Sequence, residues 1–197
     1  MNERTFSPRD AHKLDDPGRP KWLPPGAVLE RVGPLSGKTV ADVGAGTGYF
    51  ALPLAAAVGT DGNVFAVDFQ PEMLEMLNAK LALPGAPRNV APVEGEAART
   101  NLLPASCDLV FMSNLWHELD DRAAVLAEVR RVLRPGGRLA ILDYRAELSP
   151  PPGPPASHRV SLDSLLKFLA GQGWSVPGSD HVGEYSYLCI AEPPARG

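Results

Sequence analysis

The chain has 197 residues, of which 44% are apolar and 21% charged, and its formal net charge is −4. These proportions are typical of a folded globular protein and exclude a chain that is disordered throughout. The negative charge argues against extensive nucleic-acid contact, because binding to phosphates ordinarily needs a basic surface. Neither a signal-peptide core nor an apolar run of about 18 residues is found, so we expect a cytoplasmic protein without a membrane span.

Turn residues and apolar periodicity divide the chain into alternating strands and helices. The ends, residues 1–10 and 193–197, are expected to be poorly ordered, and residues 145–160 form a proline-rich loop. Pro92 and Pro177 place their strands at sheet edges, because proline cannot donate to a strand ladder. The predicted strands cover residues 39–43, 64–68, 89–95, 107–113, 138–144, 174–182 and 184–192, and the predicted helices cover residues 24–33, 48–58, 71–83, 121–137 and 161–173.

Regular alternation of strand and helix predicts an α/β fold with a mostly parallel sheet between layers of helices. The length suits a single domain over residues 1–197. In open sheets of this kind, ligands bind outside the carboxyl ends of the strands. The candidate residues below all follow predicted strands, so we expect them to meet at one edge of the sheet.

A glycine-rich corner follows the first predicted strand, in the stretch VADVGAGTGYF at residues 40–50. A strand that enters such a corner before a helix exposes backbone N–H groups to a ligand. In the dinucleotide fingerprint the third glycine comes one residue later, and here Tyr49 occupies that slot after Gly48. The spacing therefore favours a ligand without phosphates over a pyrophosphate, with a plain tight turn as the alternative.

Two aspartates accompany the glycine corner. Asp42 interrupts the apolar first strand, and an acid there is costly unless it is paired, meets a cationic ligand or caps the N–H groups of the loop. Asp68 ends the second strand, where a carboxylate accepts hydrogen bonds from both hydroxyls of a ribose. The alternative role for Asp68 is to cap the helix predicted at residues 71–83.

Four blocks in order resemble the class I S-adenosylmethionine-dependent methyltransferases: VADVGAGTGYF, VFAVDFQPEML, VEGEAARTNLLPASCDLVFMSNLWHEL and EVRRVLRPGGRLAILD. The resemblance covers residues 12 to 191, nearly the whole chain. It implies a Rossmann-like seven-stranded sheet in the order 3-2-1-4-5-7-6, with the last strand antiparallel and helices on both faces. It also implies S-adenosylmethionine as cofactor and S-adenosylhomocysteine as its product.

The resemblance assigns roles to individual residues. The corner from Gly44 to Gly48 would lie beneath the methionine part of the cofactor, Asp68 would bind the ribose and Phe69 would pack on the adenine. The acid that meets the adenine amino group is Glu96, or Glu94 in the alternative register. The full set of predicted cofactor-binding residues is Asp42, Gly44, Ala45, Gly46, Gly48, Tyr49, Asp68, Phe69, Met73, Glu96, Ala97, Ser113 and Asn114.

Two histidines are candidates for catalysis. His117 follows the fourth strand close to Ser113 and Asn114, and packing or capping is its alternative role. His158 lies in the proline-rich loop beside Arg159, which is a candidate for binding an anionic acceptor. A base is needed only if the acceptor is protonated at the working pH, because the transfer depends mainly on alignment.

The methyl acceptor is predicted to be a small molecule, and neither its identity nor the oligomeric state follows from the sequence. Arsenite-methylating relatives depend on several cysteines, whereas this chain has only Cys107 and Cys189, both in apolar strands. No metal-ligand spacing is present. The alternatives are a protein that binds S-adenosylmethionine or S-adenosylhomocysteine without catalysis and, disfavoured by the early third glycine, a nucleotide-dependent reductase.

Overall fold

The fold is built on one seven-stranded sheet, seen in a computed structural model that describes residues 6–148 and 152–195. Its order is β3-β2-β1-β4-β5-β7-β6. Strands β1 to β5 are parallel to one another, and β7 is antiparallel to both β5 and β6. The predicted Rossmann-like α/β fold and its strand order are confirmed. The strands are β1 (Thr39–Val43), β2 (Asn63–Asp68), β3 (Val90–Glu94), β4 (Cys107–Ser113), β5 (Leu133–Tyr144), β6 (Ser175–Val182) and β7 (Ser186–Glu192).

Helices cover both faces of this sheet and bury a separate apolar core on each. Helices α2, α3 and α4 contribute to one core, and α5 and α6 to the other. Strands covered on both faces read as continuous apolar runs, as β4 does. The helices are α1 (Arg19–Trp22), α2 (Pro25–Val32), α3 (Ala51–Val58), α4 (Pro71–Leu81), α5 (Arg122–Val132) and α6 (Leu162–Gly171), with 3-10 turns at Pro8–Lys13, Trp116–Glu118 and Ala156–His158.

Each edge strand of the sheet contains the proline from which its edge position was predicted. Pro92 lies in β3 at one edge, and Pro177 lies in β6 at the other. At Pro177 the pairing of β6 with β7 shifts register between Ser175 and Gly178. The missing N–H groups therefore interrupt a ladder only where the sheet ends or bulges.

The helix predicted at residues 121–137 is shorter than expected. It ends at Val132, because Leu133 is extended, at φ −68° and ψ 138°, and pairs with Cys107 of β4. The stretch from Arg134 to Gly137 belongs to β5 instead of closing the helix. Pro135 explains the early end, since the residues ahead of a proline are displaced from helical geometry.

A short regular element lies near the amino terminus. Residues 8–13 form a 3-10 turn that begins with the Ser7 side chain accepting from the Arg9 N–H. Residues 8–10 belong to this turn, residues 1–5 lie outside the described residues, and poor order over residues 1–10 stays a prediction. At the other end, the Ala195 carbonyl accepts from the Arg130 side chain, and residues 196–197 lie outside the described residues.

Neither sulfur chemistry nor metal binding is indicated in the described ranges. Cys107 and Cys189 are both free and buried in the sheet. Across residues 6–148 and 152–195, no group of three or more histidines, cysteines or acids is arranged to hold a metal ion. In those same ranges, no helix has both the length and the apolar character needed to cross a bilayer.

Gly48 allows the glycine corner to approach α4. Its φ is +90°, and a Cβ at this position would lie 2.5 Å from Cδ1 of Leu77, a fully buried residue of α4. The close-packing role that the dinucleotide pattern gives to a glycine one residue later therefore falls on Gly48. Tyr49 instead donates its hydroxyl to the Leu23 carbonyl, at 2.6 Å.

We predict that Gly48→Ala lowers the free energy of unfolding by about 3 kcal/mol, from left-handed strain and from overpacking against Leu77. The control is Gly59→Ala, because Gly59 has a φ of +72° but open space around a Cβ. That variant should lose only about 1 kcal/mol. Urea denaturation of both variants measures the difference, and equal losses would show that Leu77 makes no contribution.

Candidate active site

A cavity of about 380 Å³ opens at the carboxyl ends of β1, β2 and β4. The topology brings the loops after these three strands together, as expected for an open parallel sheet. Four predicted site residues, Gly48, Glu96, Ala97 and His158, do not line this cavity. The predicted residues that do line it are Asp42, Gly44, Ala45, Gly46, Tyr49, Asp68, Phe69, Met73, Ser113, Asn114 and His117.

The floor of the cavity is the glycine corner. The N–H groups of Gly44 and Ala45 donate to the Val67 carbonyl, at 2.8 and 3.0 Å, which ties the corner to β2. Gly46 has a φ of +53°, and a Cβ there would lie 3.1 Å from Cδ1 of Leu14. A side chain at Gly46 would therefore be strained by the left-handed backbone, and it would crowd Leu14 in the segment that covers the cavity, residues 6–23.

Asp68 connects the corner to the start of α4. Its Oδ2 accepts from the Gly46 N–H at 2.8 Å, and its Oδ1 accepts from the Gln70 N–H at 3.0 Å. Burial raises the pKa of Asp68, and the backbone hydrogen bonds oppose that rise. Asp68 thus holds the N-cap residue of α4 and the loop together. Each of its oxygens keeps a second lone pair for a ligand hydroxyl.

Asp42 is a buried carboxylate on β1 that lacks a partner for one oxygen. It is 1% exposed, and within the described residues no hydrogen bond reaches its Oδ2. Burial, with a smaller contribution from the charge of Asp68, raises the pKa of Asp42 to about 7. Such a group is costly unless a cationic or hydrogen-bonding ligand meets it.

Ser113 and Asn114 bring further unpartnered polar atoms to the cavity from the end of β4. Ser113 Oγ and both side-chain atoms of Asn114 are buried without a hydrogen bond to any described residue. Asn114 also has a φ of +54°, which is uncommon for a residue with a side chain. Unsatisfied groups and backbone strain of this kind concentrate at ligand sites.

His117 forms a buried pair with Asp143, a residue that the sequence analysis missed. His117 Nδ1 lies 2.8 Å from Asp143 Oδ1, and Asp143 Oδ2 accepts from the His117 backbone N–H at 3.0 Å. Because a carboxylate only accepts, Nδ1–H donates and Nε2 remains as the basic nitrogen. Burial would lower the pKa of His117, but Asp143, together with Glu118, more than offsets burial and raises it.

Glu118 completes the acidic side of the cavity. Burial raises its pKa to about 7, against the lowering effects of His117 and the Phe6 N–H. Glu118 Oε1 lies 3.9 Å from His117 Nε2, and its Oε2 accepts from the Phe6 N–H at 3.2 Å. The imidazole therefore lies between two carboxylates, Asp143 and Glu118.

The segment before α2, residues 6–23, covers the cavity. The family resemblance leaves the acceptor site to variable segments at residues 11–25 and 145–160, and the covering segment overlaps the first of these. Phe6, Leu14, Arg19 and Trp22 from this segment line the cavity. The segment is anchored by Asp15, whose carboxylate accepts from Lys80 Nζ at 2.7 Å and from the Thr47 hydroxyl at 2.8 Å. No apolar periodicity marks these residues, so the sequence did not predict which of their side chains would line the cavity.

A second cavity of about 320 Å³ lies at the end of β3. Phe69, which also lines the first cavity, is shared by both. Glu94 and Glu96 both line the second cavity, so both registers predicted for the adenine-contacting acid remain. Ala97 packs against the core below this loop instead.

The proline-rich loop places His158 and Arg159 differently from each other. His158 is half-buried in the 3-10 turn at Ala156–His158, outside the residues that line either cavity. Arg159 is buried, and its guanidinium donates to the carbonyls of Arg145, Leu148, Pro152 and Pro154 at 2.6 to 3.1 Å. Arg159 therefore fixes the loop, and its N–H groups are not directed to an acceptor.

Comparison with known proteins identifies the family. Residues 41–141, just over half of the chain, match the family described as "Methyltransferase domain". A crystal structure of a SAM-dependent methyltransferase from Aquifex aeolicus is 34% identical, with a TM-score of 0.89, over 95% of this chain and 98% of that chain. This chain belongs to the class I S-adenosylmethionine-dependent methyltransferases.

Curated relatives are similar over shorter stretches. A demethylmenaquinone methyltransferase of Lactococcus lactis is 34% identical over 116 residues, which is 59% of this chain and 46% of the relative. An arsenite methyltransferase of Halobacterium salinarum is 36% identical over 135 residues, 68% of this chain and 33% of the relative. The chain spans at most about half the length of these relatives.

The cavity of this methyltransferase fits the cofactor of its family. Unpartnered buried atoms of Asp42, Ser113 and Asn114 offer both donors and acceptors, and Asp68 keeps acceptor capacity. The bare Cα of Gly46 leaves room above the corner. These groups match a ligand that carries an ammonium, a carboxylate and ribose hydroxyls, which is the chemistry of S-adenosylmethionine.

We predict that ligand-free Asp42→Asn is more stable than the wild type at pH 8 but not at pH 4. The folded state holds a proton on Asp42 up to about pH 7, whereas the unfolded chain releases it near 3.8. Wild-type stability therefore falls as pH rises through this window, by up to about 4 kcal/mol. Urea denaturation across pH measures the difference, with Asp61→Asn in an exposed turn as control. A pH-independent difference would contradict the buried charge.

Asp68 should affect both ligand affinity and stability. Asp68→Ala removes the carboxylate that accepts from two backbone N–H groups and from the ribose, so we expect about thirtyfold weaker S-adenosylhomocysteine binding and about 1 kcal/mol lower stability. Asp68→Asn keeps one acceptor oxygen and should lose less of both. Calorimetric titration and thermal melts on the two variants test this. A destabilised Asp68→Ala with unchanged affinity would show that Asp68 only caps the helix and does not bind the ligand.

Proposed function

We propose that this chain transfers a methyl group from S-adenosylmethionine to a small phenol- or enol-type acceptor, with His117 as the base. The observation that carries the proposal is the His117–Asp143 pair in the wall of the same cavity as the glycine corner. A base is useful only for an acceptor that is protonated at neutral pH, and hydroxyls of this acidity meet that condition.

The residues proposed to hold the cofactor divide by chemistry. Asp42, Ser113 and Asn114 would meet its amino-acid end over the glycine corner, and Asp68 would accept from the ribose hydroxyls. Phe69 and Met73 would pack against the adenine, with Glu96 or Glu94 at its amino group. When bound, S-adenosylmethionine supplies a methyl group on a sulfonium, whose sulfur is already a good leaving group.

His117 would accept the proton of the acceptor hydroxyl at Nε2. Asp143 holds Nδ1–H at 2.8 Å and so fixes both the tautomer and the direction of the ring. Asp143 also stabilises the imidazolium that forms, because its carboxylate stays next to the positive charge. Its remaining contacts, to the backbone N–H groups of His117 and Tyr144, keep the carboxylate itself in place.

Aromatic side chains support a flat acceptor. The Trp22 and Tyr144 rings in the cavity wall are stacked, with centroids 6.4 Å apart, and the Tyr144 ring meets His117 edge-on at 5.8 Å. Burial raises the pKa of Tyr144 to about 12, so its hydroxyl stays protonated. The name of the Lactococcus lactis relative, demethylmenaquinone methyltransferase, also denotes a ring acceptor.

An arsenic acceptor is not favoured. The two thiols, Cys107 and Cys189, are both 0% exposed, and neither lines either of the two cavities described above. Burial raises the pKa of Cys189 to about 12 and also raises that of Cys107, so both remain poor thiolate ligands. His117 is favoured over His158 as the base because only His117 lines the cavity. We retain a single catalytic domain over residues 1–197 as part of this proposal.

We predict that His117→Gln lowers kcat/KM about a hundredfold or more, the contribution typical of a general base. The assay is S-adenosylhomocysteine formation with catechol as the first acceptor in a panel of small phenols and hydroquinones. Wild-type kcat/KM should fall as pH drops through a pKa above the ordinary 6.5 of histidine. Asp143→Asn should move this acidic limb to lower pH, because it removes the charge that raises the pKa of His117.

His158→Gln is the matched control and should leave kcat/KM within about twofold, since general-base losses are far larger. Glu118, with a pKa of about 7, faces the same imidazole, so Glu118→Gln is measured in parallel to assign the acidic limb. A wild-type rate and pH profile in His117→Gln would contradict its role as base. Tight S-adenosylhomocysteine binding with no turnover on any phenol would favour the non-catalytic alternative.

A further inference from the structure

Arg19 is a buried cation in the wall of the cavity. It is 6% exposed and lines the cavity from the covering segment, residues 6–23. Its Nη1 donates to the Leu14 carbonyl at 2.9 Å, and its guanidinium carbon lies 3.9 Å from the centroid of the Tyr49 ring. The ring therefore supports one face of the guanidinium, and the edge with the remaining N–H groups is not used by these contacts.

The charge of Arg19 has no anionic partner among the described residues. The ion pairs found within 4.0 Å over residues 6–148 and 152–195 do not include it. The nearby Asp15 is held instead by Lys80 and Thr47. Burial lowers the pKa of Arg19. A buried guanidinium paired only with a carbonyl and a ring is costly, and an anion would remove most of that cost.

We propose that Arg19 binds a carboxylate group of a ligand in this cavity. The planar fork of a guanidinium matches the two oxygens of a carboxylate better than any other side chain does. Asp42, Asp68 and Glu118, which come from the strand ends and the turn after β4, also line the cavity, and their negative charge repels an anion. The covering segment, with Lys13 also lining the cavity, is then the side to which an acid group turns.

Two ligands of the proposed reaction offer this chemistry. One is the carboxylate of the amino-acid end of the cofactor, and the other is an acid group on the acceptor. The inference rests on the proposed function only in that it places these ligands in this cavity. With either source, Arg19 would select ligands by their charge. This selection would add to the contacts that the polar groups at the sheet edge make.

The test compares ligands with and without a carboxylate. Arg19→Met and Arg19→Lys are titrated calorimetrically with S-adenosylhomocysteine and with its decarboxylated analogue. In a second arm, performed with S-adenosylhomocysteine present, 4-hydroxybenzoate is compared with 4-hydroxybenzamide. The control variant is Lys21→Met, because Lys21 is an exposed cation in the same short helix, α1, and does not line the cavity.

We expect Arg19→Met to weaken one of the two acids about tenfold to a hundredfold, the range for a charge-assisted hydrogen bond. Its carboxylate-free counterpart should change less than about twofold, and Arg19→Lys should be intermediate because it keeps the charge but not the fork. A loss confined to S-adenosylhomocysteine assigns the cofactor carboxylate, and a loss confined to 4-hydroxybenzoate assigns the acceptor.

Unchanged affinities in both arms would overturn the proposal. So would equal losses for the acid and its carboxylate-free counterpart, since Arg19 would then act only by holding Leu14 and Tyr49 in place. If Arg19→Met fails to fold in a thermal melt, Arg19→Lys decides by the same comparison. A wild type that binds no S-adenosylhomocysteine would contradict the proposed function, whereas the benzoate and benzamide pair would still decide the role of Arg19.

Discussion

The active site depends on the two backbone hydrogen bonds that Asp68 accepts at the end of β2. One comes from Gly46 in the corner after β1 and the other from Gln70 at the start of α4, so a single carboxylate joins three elements. Asp68 thereby anchors Gly46, the middle glycine of the left-handed corner. Because the same oxygens keep lone pairs toward the cavity, the interaction that shapes the corner also forms part of the binding surface. In the proposed function, this residue would therefore couple stability to ligand affinity.

The rest of the sheet edge carries a cost that ligand binding relieves. Asp42, Ser113 and Asn114 leave buried polar atoms without partners in the described structure, each unfavourable by about 1–3 kcal/mol. A domain of this size has only about 5–15 kcal/mol of net stability. The two apolar cores, one on each face of the sheet, offset this cost. A site whose polar groups are already desolvated gains more from each hydrogen bond with a ligand than an exposed site would.

The local sequence predicted the strands of the sheet well, but it predicted the structure of the covering segment, residues 6–23, poorly. The bounds of β1 and β4 match the prediction because each is a largely apolar run, with one aspartate inside it, that ends at a polar or glycine residue. The predicted end of α5 was wrong because Pro135 limits the helix without fixing its last residue, and the pairing of Leu133 with Cys107 ends it at Val132. The covering segment depends on contacts as distant as Phe6 with Glu118. Asp143 could have been found, because an acid inside an apolar strand is the signal that identified Asp42.

The difference between the sheet edge and the covering segment has a consequence for the acceptor. The sheet edge supplies Asp42, Asp68 and Asn114 from strands that the family match includes, whereas Arg19 and Trp22 come from the segment before it. Arg19 and Trp22 contribute to the charge and shape of the covering side, and the covering segment is held by contacts such as Lys80 with Asp15. Relatives that share the sheet edge can therefore share a cofactor while differing in acceptor. In the proposed function, acceptor specificity would be set by the covering segment, residues 6–23, and by the aromatic and cationic side chains that it places over the cavity.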